Sequence, residues 1–231
     1  MDNSGLYSLY YFLEEKVYFV PIVLFLLLLR GGFAVERGKN HTFFLLKMQT
    51  VSLQNVYMGK VLHGIGVLTI STILIVTFIA VMGTIVNRFG DWYYPILHYD
   101  HQQLVNSPTY TGMISEGKGF HFVPLGEIVI KNTILFFLCS LLIMIKSQLL
   151  SIVFKHMFSV FMVTIFIFGT GYVVTSFKFT EIALFLPFTY FRISEVTHGA
   201  LTILFDNPNL QFYMGCFPLI ISTVLLTLIS F

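Results

Sequence analysis

Hydrophobic residues in this chain are gathered into long runs that are separated by more polar segments. A run of about 20 apolar residues is long enough to cross a lipid bilayer as a helix. Five runs reach or approach that length, and they cover residues 17–35, 64–86, 128–145, 157–175 and 212–231. We therefore predict an all-α membrane protein, a single transmembrane domain over residues 1–231 with about five and at most six transmembrane helices.

The beginning of the chain is the least regular part of this pattern. Residues 17–29 are strongly apolar but too short for a perpendicular span, so the first helix has to extend to Val35. The Arg30 side chain would then reach toward the lipid headgroups. Residues 5–13 are rich in tyrosine, whose ring is favourable at a membrane–water interface, and they fit a helix that lies flat there.

Two further segments interrupt the runs. Residues 87–126 form a long polar loop that begins beside the end of a span, and its aromatic cluster of Trp92, Tyr93 and Tyr94 is typical of an interfacial belt. Residues 181–200 begin as an apolar stretch that Pro187 cuts, which favours a broken or re-entrant helix. Irregular backbone at membrane depth is tolerated only where protein buries it or where it lines a cavity.

Composition supports the bilayer as the solvent. The chain is 56% hydrophobic and 10% charged, whereas a soluble domain carries about 25% charged residues. Its basic residues are scattered rather than patched, so we expect no nucleic-acid partner. Cys139 and Cys216 both lie inside apolar runs, which favours buried free thiols over a disulfide or a zinc site.

The distribution of lysine and arginine predicts the orientation. If the basic segment 31–60 lies inside the cell, the inner side carries Arg30, Arg37, Lys39, Lys47, Lys60, Lys146 and Lys155. Basic residues in short loops beside span ends favour the cytoplasmic side. We therefore expect a multi-pass protein of the plasma membrane, with the N-terminus outside, the C-terminus inside and residues 87–126 as an extracellular loop.

Motifs for catalysis are weak. Residues 112–119 approach the phosphate-loop pattern, but Gly119 stands where a Ser or Thr would hold magnesium, and the predicted topology places the loop outside. The chain shows no nucleophile elbow, zinc-protease helix or intramembrane carboxylate pair. We therefore expect no catalytic residues and no enzymatic activity of its own.

A metal site is a second weak candidate. Four side chains of the 87–126 loop could gather around a divalent ion, namely His98, Asp100, His101 and His121. Their spacing is not that of a helical ligand pair, and solvated histidines are common in surface loops. We adopt the solvated interpretation and predict no metal.

Charged residues at the span edges are candidates for a pathway or gate. Glu127 and Lys131 are four residues apart, so on a helix they share a face and can pair. Arg192 and Glu195 follow Pro187 in the broken segment. Ionisable groups at a membrane often mark a pathway, with interfacial anchoring as the open alternative. The span cores contain no acid or histidine, which indicates an external energy source rather than a proton relay.

Ordered motifs occupy the segment between the first two runs. They are Val35-Glu36-Arg37, Thr42, Leu45-Leu46, Val51-Ser52 and Gly59-Lys60, and Leu186-Pro187-Phe188 then precedes Gly199 and the last run. In this order they resemble the permease subunits of type-2 ATP-binding-cassette exporters, similar to those of Gram-positive bacteria that export phenol-soluble modulins or bacteriocins. The chain departs from that pattern at Asn40-His41, where the family has Gly, and at Thr50, where it has Pro. Its first run aligns with the second span of the family.

The resemblance implies that residues 36–60 connect the spans to a cytosolic ATPase. The residues that would make this connection are Glu36, Arg37, Thr42, Leu46, Val51, Ser52, Gly59 and Lys60. It also implies a second permease subunit, surrounding membrane lipid, and an amphipathic substrate such as an antimicrobial or cytolytic peptide, a lipid or a drug. No cofactor is expected in this chain, since ATP and magnesium belong to the partner ATPase. A non-transporting immunity or sensor protein, which binds a peptide toxin through the 87–126 loop, is the alternative.

Overall fold

The structure is a computed structural model that describes residues 4–28, 34, 52–99, 104–106, 113–115, 120–175, 183–205 and 207–229. Its α-helices, in chain order, are α1 (Gly5–Glu14), α2 (Phe19–Leu28), α3 (Leu53–Val86), α4 (Leu125–Val153), α5 (Met157–Val174), α6 (Ile193–Thr197), α7 (Ala200–Leu204) and α8 (Phe212–Ile229). Within the described ranges, 3-10 helices cover Lys16–Tyr18 and Pro187–Phe191. Between α3 and α4 lie the strands β1 (Pro95–Tyr99), β2 (Leu104–Asn106), β3 (Met113–Ser115) and β4 (Phe120–Pro124).

Among the residues that the structure describes, three helices are long and apolar enough to cross a membrane. They comprise Gln54–Val86, Leu125–Val153 and Met157–Val174, and a shorter apolar helix covers Phe212–Leu228. The 34 residues of α3 extend about 51 Å at a rise of 1.5 Å per residue, which exceeds the roughly 30 Å hydrocarbon core of a bilayer. The structure is therefore compatible with the predicted helical membrane protein, and the number of crossings stays a prediction.

Helix α4 lies at the centre of the bundle. Within the most apolar part of this helix 61% of the residues are buried, against 11% for α3 and for α5. Helices α1, α3, α5 and α8 all pack against it. Leu135, Phe136 and Cys139 are completely buried there. The other long helices consequently expose most of their apolar surface outward, which a lipid solvent accommodates.

Helix α1 packs against α3 and α4. It begins at Ser4, whose hydroxyl accepts a hydrogen bond from the Tyr7 amide at 3.4 Å, as an N-cap does. Leu6, Leu9 and Leu13 recur at helical spacing and are buried in the core. The leucine face is covered by α3 and α4, and the position of α1 relative to a membrane interface stays a prediction.

Short strands replace part of the loop that was expected between the second and third runs. Strand β1 pairs antiparallel with β4, in a register that sets Pro95 opposite Pro124 and His98 opposite His121. Strands β2 and β3 form a second antiparallel pair. Residues 91–99 and strand β4 are together called the hairpin. It follows α3 in the chain, and its last residue, Pro124, directly precedes α4.

The segment before the last helix is broken into short pieces that pack within the bundle. It consists of the 3-10 helix Pro187–Phe191, then α6 and α7. Tyr190, Ile193 and Leu201 are completely buried. The Tyr190 carbonyl lies 3.6 Å from the sulfur of Cys139, the middle residue of α4, so the 3-10 turn sits level with the middle of the central helix. Of the predicted broken segment 181–200, residues 181 and 182 lie outside the described part.

Candidate functional site

A cleft of about 520 Å³ opens at the end of the bundle that carries the β1–β4 hairpin. Its walls come from α1, from the hairpin and from the broken segment around α6. Four tyrosines and two acids contribute to the lining, namely Tyr7, Tyr10, Tyr94, Tyr99, Glu14 and Glu195. Side chains far apart in the sequence thus meet in one concave, partly polar site, which is the usual form of a ligand-binding site.

Tyr10 and His198 connect α1 to the broken segment across this cleft. The Tyr10 hydroxyl lies 2.9 Å from His198 Nε2, and the two rings meet edge to face with centroids 5.5 Å apart. His198 Nδ1 lies 2.7 Å from the Ser194 carbonyl, which can only accept. In the neutral imidazole the proton is therefore on Nδ1, and Nε2 accepts from the tyrosine.

Glu14 adds a carboxylate on the same face of α1, one helical turn after Tyr10. Burial, followed by the Glu14 carboxylate, raises the pKa of Tyr10 above its ordinary value. The hydroxyl therefore keeps its proton and remains a hydrogen-bond donor. Glu14 itself is exposed and belongs to the lining of the cleft.

The broken segment is also held by an ion pair and an aromatic contact. Arg192 Nη1 lies 3.1 Å from Glu195 Oε2, three residues later, and the arginine side chain is only 11% exposed. The Arg192 guanidinium also stands 5.4 Å from the centre of the Tyr172 ring on α5. This pair attaches the start of α6 to α5 and leaves the Glu195 carboxylate at the cleft wall.

A buried polar contact joins the broken segment to the central helix. The Thr197 hydroxyl donates to the Asn132 side-chain oxygen at 2.5 Å, and both residues are buried. The Asn132 amide nitrogen is buried without a hydrogen-bond partner. Sequence reasoning missed this contact, although an asparagine inside an otherwise apolar run was a visible signal.

The hairpin is attached to the same segment through the backbone. The Tyr99 amide donates to the His198 carbonyl at 2.8 Å. Gly199 follows with φ of +76°, and a Cβ at this position would lie 2.2 Å from the Tyr99 carbonyl oxygen. Only glycine combines that backbone conformation with so close an approach.

The predicted pathway residues fall into two separate pairs. Lys131 Nζ lies 2.6 Å from Glu127 Oε1, which confirms the predicted pairing. That pair is on α4 and outside the cleft lining, whereas Glu195 lines the cleft and Arg192 pairs with it. Pro187 begins the 3-10 helix, whose last carbonyl, that of Phe191, accepts a hydrogen bond from the Tyr18 hydroxyl.

Most of the predicted ATPase-coupling residues lie outside the described part of the chain. These are Glu36, Arg37, Thr42, Leu46 and Val51. Ser52 caps α3 by accepting from the Asn55 amide at 3.4 Å, and Gly59 and Lys60 lie in the first turns of that helix. Their role toward an ATPase stays a prediction.

The remaining sequence candidates resolve differently. His98 and His121 stack across the β1–β4 pair with ring centroids 4.6 Å apart, while Asp100 and His101 lie outside the described residues. Within the described ranges no group of three or more potential metal ligands occurs. Cys139 is a buried free thiol as predicted, and Cys216 is half-buried. Of the glycine-rich stretch 112–119, only β3 is described.

Comparisons with models of protein families, with curated proteins and with solved structures found no match to this chain.

Proposed function

We propose that this chain is the permease subunit of an ATP-binding-cassette exporter, which moves an amphipathic substrate out of the cell. A separate cytosolic ATPase would drive it, and a second permease subunit would complete the pathway. The observation that carries the proposal is the broken segment from Pro187 to Leu204, which packs beside the central helix and lines the cleft through Glu195 and His198.

A broken helix at membrane depth is unfavourable in free energy unless its freed backbone groups are satisfied. Each interrupted turn frees backbone groups that lipid cannot satisfy, so such backbone persists only where protein or a cavity surrounds it. Membrane transporters build their substrate sites from discontinuous helices of this kind. In this chain the break places polar side chains, among them Ser194 and His198, beside a cleft instead of in lipid.

The composition of α3 and α5 supports an external energy source. Between Gly64 and Val86 on α3, and along α5, the sequence contains no acid, lysine, arginine or histidine. A relay of protons through these helices would need such groups. The resemblance of residues 35–60 to exporter permeases indicates a cytosolic ATPase as the energy source. Glu36 and Arg37 would couple that ATPase to the spans.

Coupling can be tested with a pair of matched double variants. The chain is co-expressed with a candidate cytosolic ATPase that carries a phosphate loop, and we measure both co-purification and export of a fluorescent amphipathic peptide. Glu36→Ala with Arg37→Ala is expected to reduce both by tenfold or more. Glu127→Ala with Lys131→Ala removes the same two charge types from α4 and should leave co-purification intact. Unchanged association and export in the first variant would remove this segment from the coupling role.

An immunity or sensor protein is supported by a different observation. Much of the cleft wall comes from the hairpin, including Tyr94, Leu97 and Tyr99, so an external peptide could bind without any transport. This function requires protection of cells against a toxin when no ATPase partner is present. Export that depends on the ATPase would exclude it.

A further inference from the structure

The cleft between α1, the hairpin and α6 combines aromatic rings with carboxylates. Tyr7 and Tyr10 stand one turn apart on α1, with ring centroids 5.6 Å apart and planes tilted by 41°. Tyr94 and Tyr99 face them from the hairpin side. Because the face of an aromatic ring carries negative potential, several such rings around one space attract a cation.

The charges of the lining have one sign. Glu14 and Glu195 are the ionisable side chains of the cleft besides His198 and the tyrosines, and none of the described lining residues is a lysine or an arginine. Arg192 pairs with Glu195 from behind the wall and offsets that carboxylate. Glu14 is exposed and leaves the site with a negative balance.

The size and the apolar part of the lining restrict the ligand further. A volume of about 520 Å³ is in the range of sites for drug-sized molecules and is much larger than a simple ion needs. Ile96, Leu97 and Phe122 form an apolar portion of the same wall. A ligand that fills the cleft therefore needs an apolar body beside its positive group.

From this arrangement we infer that the cleft binds the ammonium group of an amphipathic ligand, with the cation among the tyrosine rings and Glu14 and the apolar part against the hairpin. The inference rests on the proposed function, because the cleft is a substrate site only if this chain is an exporter permease. Two sources share this chemistry, namely a lysine side chain of an amphipathic peptide and the amine headgroup of a membrane lipid.

The chain carries its own reporter for this binding. Trp92 is its only tryptophan, and it sits where the hairpin meets α4, against Gly126. Its carbonyl accepts from the Gly126 amide at 3.1 Å, and Tyr94, two residues later, lines the cleft. The full chain in a neutral maltoside detergent is titrated with decyltrimethylammonium, and the tryptophan fluorescence is recorded. Decyl sulfate, with the same chain and the opposite charge, is the matched probe.

Binding is expected for decyltrimethylammonium and not for decyl sulfate. Glu14→Gln and Tyr99→Leu should each weaken it by about tenfold, while Tyr99→Phe keeps the ring and should bind within about twofold of the parent. Glu127→Gln removes an acid outside the cleft and serves as the control. Size-exclusion profiles and melting temperatures identify variants that fail to fold; Tyr7→Leu, tested in the same way, then replaces Tyr99→Leu. Equal binding of both probes, or full binding by Glu14→Gln and by the leucine variant, overturns the inference.

Competition distinguishes the two sources. A lysine-rich amphipathic peptide is compared with its Lys→Gln counterpart, and nanodiscs of phosphatidylethanolamine are compared with nanodiscs of phosphatidylglycerol. Displacement of the probe by only the lysine peptide assigns a peptide, and displacement by only the ethanolamine lipid assigns a lipid headgroup. These measurements need no ATPase, so loss of ammonium binding would sink this inference without touching the coupling experiment, and the reverse also holds.

Discussion

Gly5 and Gly83 lie against each other where the beginning of α1 crosses the end of α3. A Cβ at Gly83 would stand 2.7 Å from the Gly5 Cα atom and 2.8 Å from the Ser8 hydroxyl oxygen. The Gly5 amide donates to the Arg88 carbonyl at 2.8 Å, and the Leu6 amide donates to the Phe89 carbonyl at 3.0 Å. Small residues at a crossing permit this close approach of two backbones, a common device in membrane helices.

Gly83→Ala should therefore destabilise the protein. The added methyl meets the Gly5 backbone as well as the Ser8 side chain, and such overpacking costs about 1–3 kcal/mol. Gly66→Ala is the matched control on the same helix, because a Cβ there meets nothing within 4 Å. Since alanine favours helix over glycine by about 1 kcal/mol, the control should be neutral or stabilising. Thermal unfolding in detergent measures both, and equal melting temperatures would show that the helices do not cross at Gly83.

The buried contact between Asn132 and Thr197 gives a double-mutant prediction. Thr197→Val leaves the Asn132 oxygen buried without a donor, which should cost about 1–3 kcal/mol. Asn132→Leu combined with Thr197→Val removes both partners and the unpaired amide nitrogen, so it should be closer to the parent than the single valine variant. Denaturant titration of the single and double variants measures the interaction energy. Strictly additive losses would contradict a direct contact.

The contact of Lys146 with two phenylalanine rings gives a third prediction. Lys146 lies on α4, with its ammonium 4.9 Å from the centre of the Phe188 ring and 5.4 Å from that of Phe168. A cation between two rings holds the 3-10 turn against α4 and α5 with about 1 kcal/mol. Lys146→Met should increase amide hydrogen exchange in residues 187–191, whereas Lys146→Arg keeps the cation and should not.

Lys155→Met is the control for that experiment. It removes a lysine from the turn between α4 and α5, and among the described residues no cation–ring contact joins this lysine to the broken segment. If Lys146→Met and Lys155→Met exchange alike, the cation–π contact does not hold the turn.

Strand register can be tested by cross-linking. His98 and His121 are directly opposite in the β1–β4 pair, at a separation that a disulfide can bridge. In a background with Cys216→Ser, the pair His98→Cys with His121→Cys should oxidise to a disulfide that thiol counting detects. The pair His98→Cys with Phe120→Cys, which is offset by one residue, should not. Efficient oxidation of the offset pair alone would require a different register.

The sequence predictions that the structure confirms depend on local patterns, namely the length of an apolar run and the spacing of residues within one helix. Apolar runs long enough for a bilayer became α3, α4 and α5, and the spacing of Glu127 and Lys131 predicted an ion pair because it depends on one helix only. The cleft could not be predicted in this way. Tyr10 and His198 are 188 positions apart, and only the packing of α1 against the bundle brings them together. The strand pairs were missed because β1 and β4 are short and their pairing is not local.

The backbone hydrogen bond between Tyr99 and His198 connects the hairpin directly to the broken segment inside the bundle. Tyr99 is the last residue of β1, and His198 joins α6 to α7 and touches α1 through Tyr10. A displacement of the hairpin would therefore reach the broken segment through this hydrogen bond, and not through the roughly 100 residues of intervening chain. We expect that a ligand bound in the cleft changes the position of both segments together.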